Sequence, residues 1–386
     1  MHRLRIGVDA RYAYRENRRG IGKLVYNLLL QLFVLDSSSE YFLYVDVQAD
    51  PTVGPTVGGA SVTLRRLKVS NPSLWEQWAL PAAARRDKLD LLHCTSNHGP
   101  LFKPCPVVLS VMDVIEFHRR ELASRLTLRH HLSRLSRIAM LPRVARAADA
   151  LTTISQFSRD DIARTLRIPA GTVKVIYPAP DRSFIEPGAR SGEHALQAPE
   201  VHRPYILCLG AMDPRKNTIA VVRAFAQARR HLGEDIRLVI PGIENVPRHP
   251  IRKLVHDLGL NGEVILLGYV YDDQLVALYR GAECFVYPSL YEGFGLPPLE
   301  AMALGTPVIA SKATSIPEVV GDAALLFDPR SPKDLAKAMV RLLRDPDLRG
   351  ELIHRGHHQA ACFSWERAAQ ETLAVYQDVV ARYRGG

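Results

Sequence analysis

Tyr205-Ile206-Leu207-Cys208-Leu209-Gly210-Ala211-Met212-Asp213-Pro214-Arg215-Lys216-Asn217 carries five apolar residues, then a glycine, a turn-forming Asp-Pro and two adjacent cations. The apolar run predicts a buried strand from Tyr205 to Leu209, and Thr218 to His231 has the 3.6-residue apolar spacing of a helix. The same unit then repeats. Arg237 to Ile240, Val264 to Leu267 and Cys284 to Tyr287 read as strands, followed in turn by helices over Ile251 to Leu258, Asp273 to Arg280 and Pro298 to Leu304. Strand and helix in regular alternation predict a parallel, doubly wound α/β sheet with helices on both faces.

Upstream, the pattern recurs. Strands are expected at Leu4 to Asp9, Tyr41 to Val45, Leu89 to His93, Val107 to Val111 and Ala150 to Ile154, with helices from about Ile21 and near Leu74 to Arg86. Between the two alternating regions, the stretch from Phe184 to Pro204 has turn formers and no periodicity, as a linker should. A chain of 386 residues, 47% hydrophobic, has enough apolar material for two cores. The expected division is a first domain over 1–183, a linker over 184–203, a second domain over 204–363 and a helix over 364–386 that packs back on the first domain. Two such domains in tandem would face each other across a cleft at the carboxyl ends of their strands.

No run reaches the roughly 18 apolar residues that span a bilayer, and Met1 to Val8 does not read as a signal peptide. The five cysteines are scattered without a Cys-x-x-Cys pair, which fits a reducing cytoplasm. A net charge of +10 favours an anionic partner. Nucleic acid is disfavoured, since no zinc pattern, RNP-like aromatic strand or helix-turn-helix signal is present.

Chemistry concentrates in Glu292-Gly293-Phe294-Gly295-Leu296-Pro297-Pro298-Leu299-Glu300, between the strand Cys284 to Tyr287 and a helix. Glycines let backbone N–H groups approach a ligand, and a helix N-terminus favours an anion. The carboxylates of Glu292 and Glu300 can accept hydrogen bonds from sugar or ribose hydroxyls. A plain reading remains open here: a tight strand-to-helix turn with a favourable acid near the helix start. Arg215 and Lys216, at the mouth of the same sheet, are the cations that a departing diphosphate needs, although such pairs are often solvated loop charges. Near the N-terminus, Arg18-Arg19-Gly20-Ile21-Gly22-Lys23 opens a helix whose glycines, Gly20 and Gly22, suit a phosphate.

Taken together these residues resemble glycosyltransferase family 4. The two glutamates eight positions apart match its signature, and matches run in order along the chain: Asp9-Ala10-Arg11, Gly20-Ile21-Gly22, Ser155-Gln156-Phe157-Ser158, Pro214-Arg215-Lys216-Asn217 and Pro317-Glu318-Val319-Val320-Gly321. The resemblance implies a GT-B fold of two Rossmann-like domains and retaining transfer from a nucleotide-sugar donor, with no separate cofactor. It also implies site roles. Glu292 would face the transferred sugar, Glu300 the ribose, Arg215 and Lys216 the diphosphate, and Gly293, Phe294, Gly295 and Leu296 the sugar and phosphate oxygens. Tyr269 and Val270 would lie by the base, and Gly20 and Gly22 by a phosphate. Where the family often has His-Asp, this chain has Met112-Asp113. Asp113 therefore joins Glu292, Arg215 and Lys216 in the expected catalytic set without the histidine, and His118 nearby reads as a surface residue.

The only acidic Asp-x-Asp, Asp345-Pro346-Asp347, reads as a helix start, so metal is not expected to be needed. Arg119 to Arg146 reads as a basic amphipathic helix that either lies on anionic lipid, suiting a polyprenyl-diphosphate-linked acceptor, or packs its apolar stripe on the sheet. Similarity around Trp75-Glu76-Gln77-Trp78-Ala79-Leu80-Pro81 points to mannosyltransferases of bacterial polysaccharide assembly, including lipopolysaccharide. GDP-mannose is accordingly the expected donor and a glycan the acceptor. The alternatives are a UDP-sugar-dependent glucosyl- or N-acetylglucosaminyltransferase, a phosphorylase or epimerase, and a non-catalytic nucleotide-sugar-binding subunit.

Overall fold

The computed structural model describes residues 3–15, 18, 20–49, 59–118, 128–185, 201–233, 235–246 and 249–385. Most of the expected linker, and the first part of the expected basic helix, lie outside them. The chain forms two compact units. One takes the N-terminal part up to Pro178 together with Ser364–Gly386, and the other runs from Ala179 to Phe363.

The first unit is a seven-stranded sheet of β1 (Arg5–Asp9), β2 (Glu40–Val45), β3 (Ser61–Arg66), β4 (Leu91–Cys94), β5 (Val107–Ser110), β6 (Ala150–Thr153) and β7 (Val173–Val175), ordered β3-β2-β1-β4-β5-β6-β7. Every neighbouring pair is parallel. The inner strands of a parallel sheet are covered on both faces, so they are largely apolar instead of alternating, and β4 and β5 are buried at every position. Trp75, Leu92, Leu109, Ile162 and Leu166 belong to one core on this sheet.

The second unit repeats the design with β8 (Tyr205–Leu207), β9 (Arg237–Pro241), β10 (Val264–Leu267), β11 (Cys284–Tyr287), β12 (Val308–Ser311) and β13 (Ala324–Phe327), again parallel and ordered β10-β9-β8-β11-β12-β13. Strand order reverses between β1 and β4 in the first sheet and between β8 and β11 in the second. Loops part to opposite faces at such a point, which opens a crevice at the carboxyl ends of the strands.

Helix ends follow local capping chemistry. Ser331 Oγ accepts from Asp334 N at 3.2 Å, and Ser364 Oγ from Arg367 N at 3.1 Å. Asp345 Oδ1 accepts from Leu348 N at 2.9 Å, so Asp345-Pro346-Asp347 opens helix Pro346–Ala361. The helix over Leu296–Ala303 starts two residues ahead of the expected Pro298. The expected helix near Leu74 to Arg86 is one helical run, Pro72–Arg86, whose middle, Trp75–Ala79, is wound as a π segment. Helix Trp365–Arg384 packs on helix Ile21–Leu35 within the first unit. Tyr376 Oη from that last helix lies 2.6 Å from His93 Nδ1 on β4, both buried. Among the described residues no helix is long and apolar enough to cross a membrane.

Candidate donor site

In the second unit the strand β8 delivers the chain to the turn that holds Arg215 and Lys216. Asp213 Oδ1 accepts from Arg215 N at 3.0 Å and closes a single 3₁₀ turn, Pro214–Lys216. Asn217 then takes a left-handed conformation, φ 55°, which asparagine tolerates better than most residues. Its side-chain amide donates to Pro288 O at 3.2 Å and Pro329 O at 2.8 Å, while Arg215 O accepts from Leu290 N at 2.8 Å. These bonds fasten the cationic turn after β8 to the loop after β11, across the point of strand-order reversal, and to Pro329 just past β13.

Glu292 lies between the two cations. Its Oε1 lies 2.7 Å from Lys216 Nζ and its Oε2 2.8 Å from an Arg215 terminal nitrogen. That nitrogen also donates to Tyr291 O at 2.8 Å. Lys216 Nζ sits 5.5 Å from the centre of the Tyr287 ring. Burial opposes the charge of Glu292, but Lys216 and Arg215 more than offset it and hold the carboxyl below its ordinary range. Arg215 Nε also lies 3.4 Å from Asp213 Oδ2, so two carboxylates flank the two cations, with Glu292 the less exposed of the pair.

Gly295 takes φ 113°, a conformation few other residues adopt, and begins helix Leu296–Ala303. Pro297 and Pro298 carry no N–H, so the amides at this helix start belong to Gly293, Phe294, Gly295 and Leu296. Glu300 falls one turn further along the same helix and is 7% exposed, with Tyr279 Oη 3.4 Å from its Oε2. Tyr269 and Val270 follow β10, where the half-exposed Tyr269 ring meets Tyr271 edge-on at 5.2 Å.

Two residues that motif spacing does not reveal hold this loop in shape. Thr314 Oγ1 accepts from Glu292 N at 3.0 Å, and buried Ser315 Oγ lies 3.0 Å from Glu292 O and 2.7 Å from Phe294 O. Thr314 has φ 52°, which is strained for a β-branched residue, and such strain persists where the surroundings impose it. The only sequence signal is a Thr-Ser pair just past an apolar strand. Ser315→Ala is expected to cost about 1–3 kcal/mol, because the single hydroxyl proton shared between Phe294 O and Glu292 O is lost; urea unfolding measures this, and an unchanged midpoint would show that the pins are dispensable.

Asp113, Gly20 and Gly22 belong to the first unit. Gly22 is required by contact, since a Cβ there would stand 2.5 Å from the backbone oxygen of Tyr12, and Gly20 caps helix Ile21–Leu35 with φ 46°. Asp113 Oδ1 accepts from Ile115 N at 3.1 Å and its carbonyl from Asn97 Nδ2 at 3.1 Å. Met112 is buried beside it, its N–H donating to Asn97 Oδ1 at 2.6 Å. His118 pairs with Asp161 at 3.0 Å.

Residues 40–184 match the family described as Glycosyltransferase Family 4, and residues 193–359 match Glycosyl transferases group 1. The chain belongs to these glycosyltransferase families. It is 35% identical over 232 residues to O-antigen chain mannosyltransferase B of Escherichia coli, covering 60% of this chain and 61% of that one. It is 34% identical over 249 residues to the MMP alpha-(1->4)-mannosyltransferase of Mycolicibacterium hassiacum, covering 64% and 58%. The chain therefore spans less than two thirds of the length of either relative. Sucrose-phosphate synthase from Thermosynechococcus elongatus superimposes with a TM-score of 0.76 over 98% of this chain and all of that one, at 22% identity. That likeness shows the fold of this family 4 chain, the GT-B architecture of two parallel-sheet α/β domains.

Proposed function

We propose that this family 4 chain is a retaining glycosyltransferase that moves mannose from GDP-mannose to a glycan acceptor in polysaccharide assembly, without a metal ion. The observation that carries the reading is Glu292 bridging Arg215 and Lys216 at the strand-order reversal of the second sheet, beside the glycine loop. Cleaving the anomeric C–O bond leaves negative charge on the diphosphate and an oxocarbenium-like sugar. Preorganised cations, with the amides at a helix start, stabilise the first of these, and they act most strongly in a partly desolvated site. Glu292, kept ionised by those same cations, accepts hydrogen bonds from hydroxyls of the transferred sugar and positions it. Glu300 does the same for the ribose, and the Tyr269–Val270 segment meets the base.

Retention then needs no carboxylate nucleophile. The acceptor hydroxyl attacks from the face the diphosphate leaves, and a phosphate oxygen takes its proton. The mannose assignment draws on the names of the two mannosyltransferase relatives. The acceptor is a glycan, free or carried on a polyprenyl diphosphate. The test is to incubate the protein with GDP-mannose, EDTA and synthetic α-mannosides, then read the anomeric configuration of the product by NMR. An α-linked product is expected. A β-linked product would overturn retention, and activity with UDP-sugars alone would overturn the donor.

A further inference from the structure

The first sheet has its own strand-order reversal, between β1 and β4, and the residues there are not accounted for by donor binding. Asp9 ends β1, and its carboxylate holds Arg11 at two points, 3.0 Å to Nε and 2.8 Å to a terminal nitrogen. Both are almost fully buried, Arg11 at 4% exposure. The guanidinium lies 4.9 Å from the centre of the Trp75 ring, and Trp75 Nε1 is 3.4 Å from Asp9 Oδ2. This pair is rigid and internally satisfied, so it serves as a fixed wall.

Glu76 stands against that wall, on the π-wound segment Trp75–Ala79. Wide turns of this kind inside a helix occur often at functional sites because they displace one side chain from the regular register. Glu76 Oε1 is 3.6 Å from Arg11 and 3.7 Å from Nδ1 of His98, in the loop after β4. Both distances are outside hydrogen-bond range. Glu76 is 14% exposed, yet this oxygen has no hydrogen-bond partner among the described residues. A buried carboxylate oxygen left in that state is costly, and it stands beside Arg11 and the His98 loop, which follow β1 and β4 at the point where strand order reverses.

The charges around it define what fits. Asp9 cancels Arg11. Arg137 from helix Leu128–Ala147 approaches as well, but it pairs with Glu116 at 3.3 Å. Burial, with Arg11 and Arg137 nearby, keeps His98 neutral down to about 4. No net positive charge remains to hold a phosphate, whereas a carboxylate beside a neutral imidazole matches the hydroxyls of a neutral sugar. We propose that Glu76, with His98 beside it, binds a hydroxyl of the acceptor saccharide at the carboxyl ends of β1 and β4. The proposal rests on the transferase reading given above. Glu76 is a specificity and positioning residue in it, holding a hydroxyl of the acceptor.

Burial raises the Glu76 carboxyl to about 7, with Asp9 adding to the rise and Arg11 and Arg137 opposing it. The group therefore titrates within the working range, and its accepting form is lost as pH falls below 7. The test uses the whole chain, GDP-mannose and α-mannobiosides as acceptor probes, on wild type, Glu76→Gln and His98→Ala. Glu76→Gln is expected to raise the acceptor KM about tenfold or more, the size of a hydrogen bond to a charged group, with donor KM within about twofold. His98→Ala gives a smaller rise. Wild-type acceptor KM should climb between pH 8 and 6, and that climb should be absent in Glu76→Gln. An unchanged acceptor KM, or a donor KM that moves equally, overturns the acceptor role while leaving the transferase reading intact. A wild type that consumes no donor overturns the transferase reading itself, and the acceptor site with it.

Discussion

Lys216→Ala is expected to lower kcat/KM for the donor by about a hundredfold to a thousandfold, the usual effect of removing one preorganised charge from a developing anion. Lys216 Nζ is held between Glu292 Oε1 at 2.7 Å and the Tyr287 ring at 5.5 Å, so its position is set before any ligand arrives. Removing it leaves Arg215 still bonded to Glu292 and Tyr291 O, and the turn still fastened through Asn217. The loss should therefore fall on nucleotide binding and catalysis, with the fold intact. Steady-state kinetics with GDP-mannose decides it. A drop below fivefold would mean that the lysine is only Glu292's structural partner, and Lys216→Arg should recover part of the loss because charge is restored without the same geometry.

Glu292→Gln is expected to reduce kcat by about a hundredfold or more, since the amide keeps the shape but loses the charged acceptor. It should also destabilise the second unit by about 3 kcal/mol, because Lys216 loses its countercharge and Arg215 keeps only the longer pair with Asp213. The pH dependence separates this from simple loss of packing. The folded-state pKa of Glu292 lies below its ordinary value of 4.5, so its contribution is fully present above that value and disappears as pH falls through the lower, folded-state value. Wild type and variant should thus differ in stability at neutral pH and converge in acid. Parallel curves would contradict the ion-pair account.

The fold was legible because parallel strands buried on both faces must be apolar throughout. Val264–Leu267 and Cys284–Tyr287 were placed to the residue on that basis. β3, which reads Ser61-Val62-Thr63-Leu64-Arg65-Arg66, and the three-residue β7 were not read, because one is partly exposed with polar positions and the other is too short for a pattern. The donor residues stood out through glycine and charge chemistry just past recognised strands. Their supports did not. Thr314 and Ser315 act through bonds to backbone atoms 21 to 23 positions away, and no local pattern records such a bond. Glu76 was visible only as part of a resemblance to mannosyltransferases; neither the π-wound backbone that carries it nor the contact of Trp75 with Arg11 is encoded in periodicity.

The central claim is that Arg215, Lys216 and the amides of the glycine loop bind a nucleoside diphosphate by themselves. Isothermal titration of the protein with GDP in EDTA, repeated with UDP and ADP and with Lys216→Ala, tests it most directly. The account predicts one site per chain for GDP, retained in EDTA and weakened at least tenfold by Lys216→Ala. Binding that needs a divalent cation, or that is indifferent to Lys216, would contradict it.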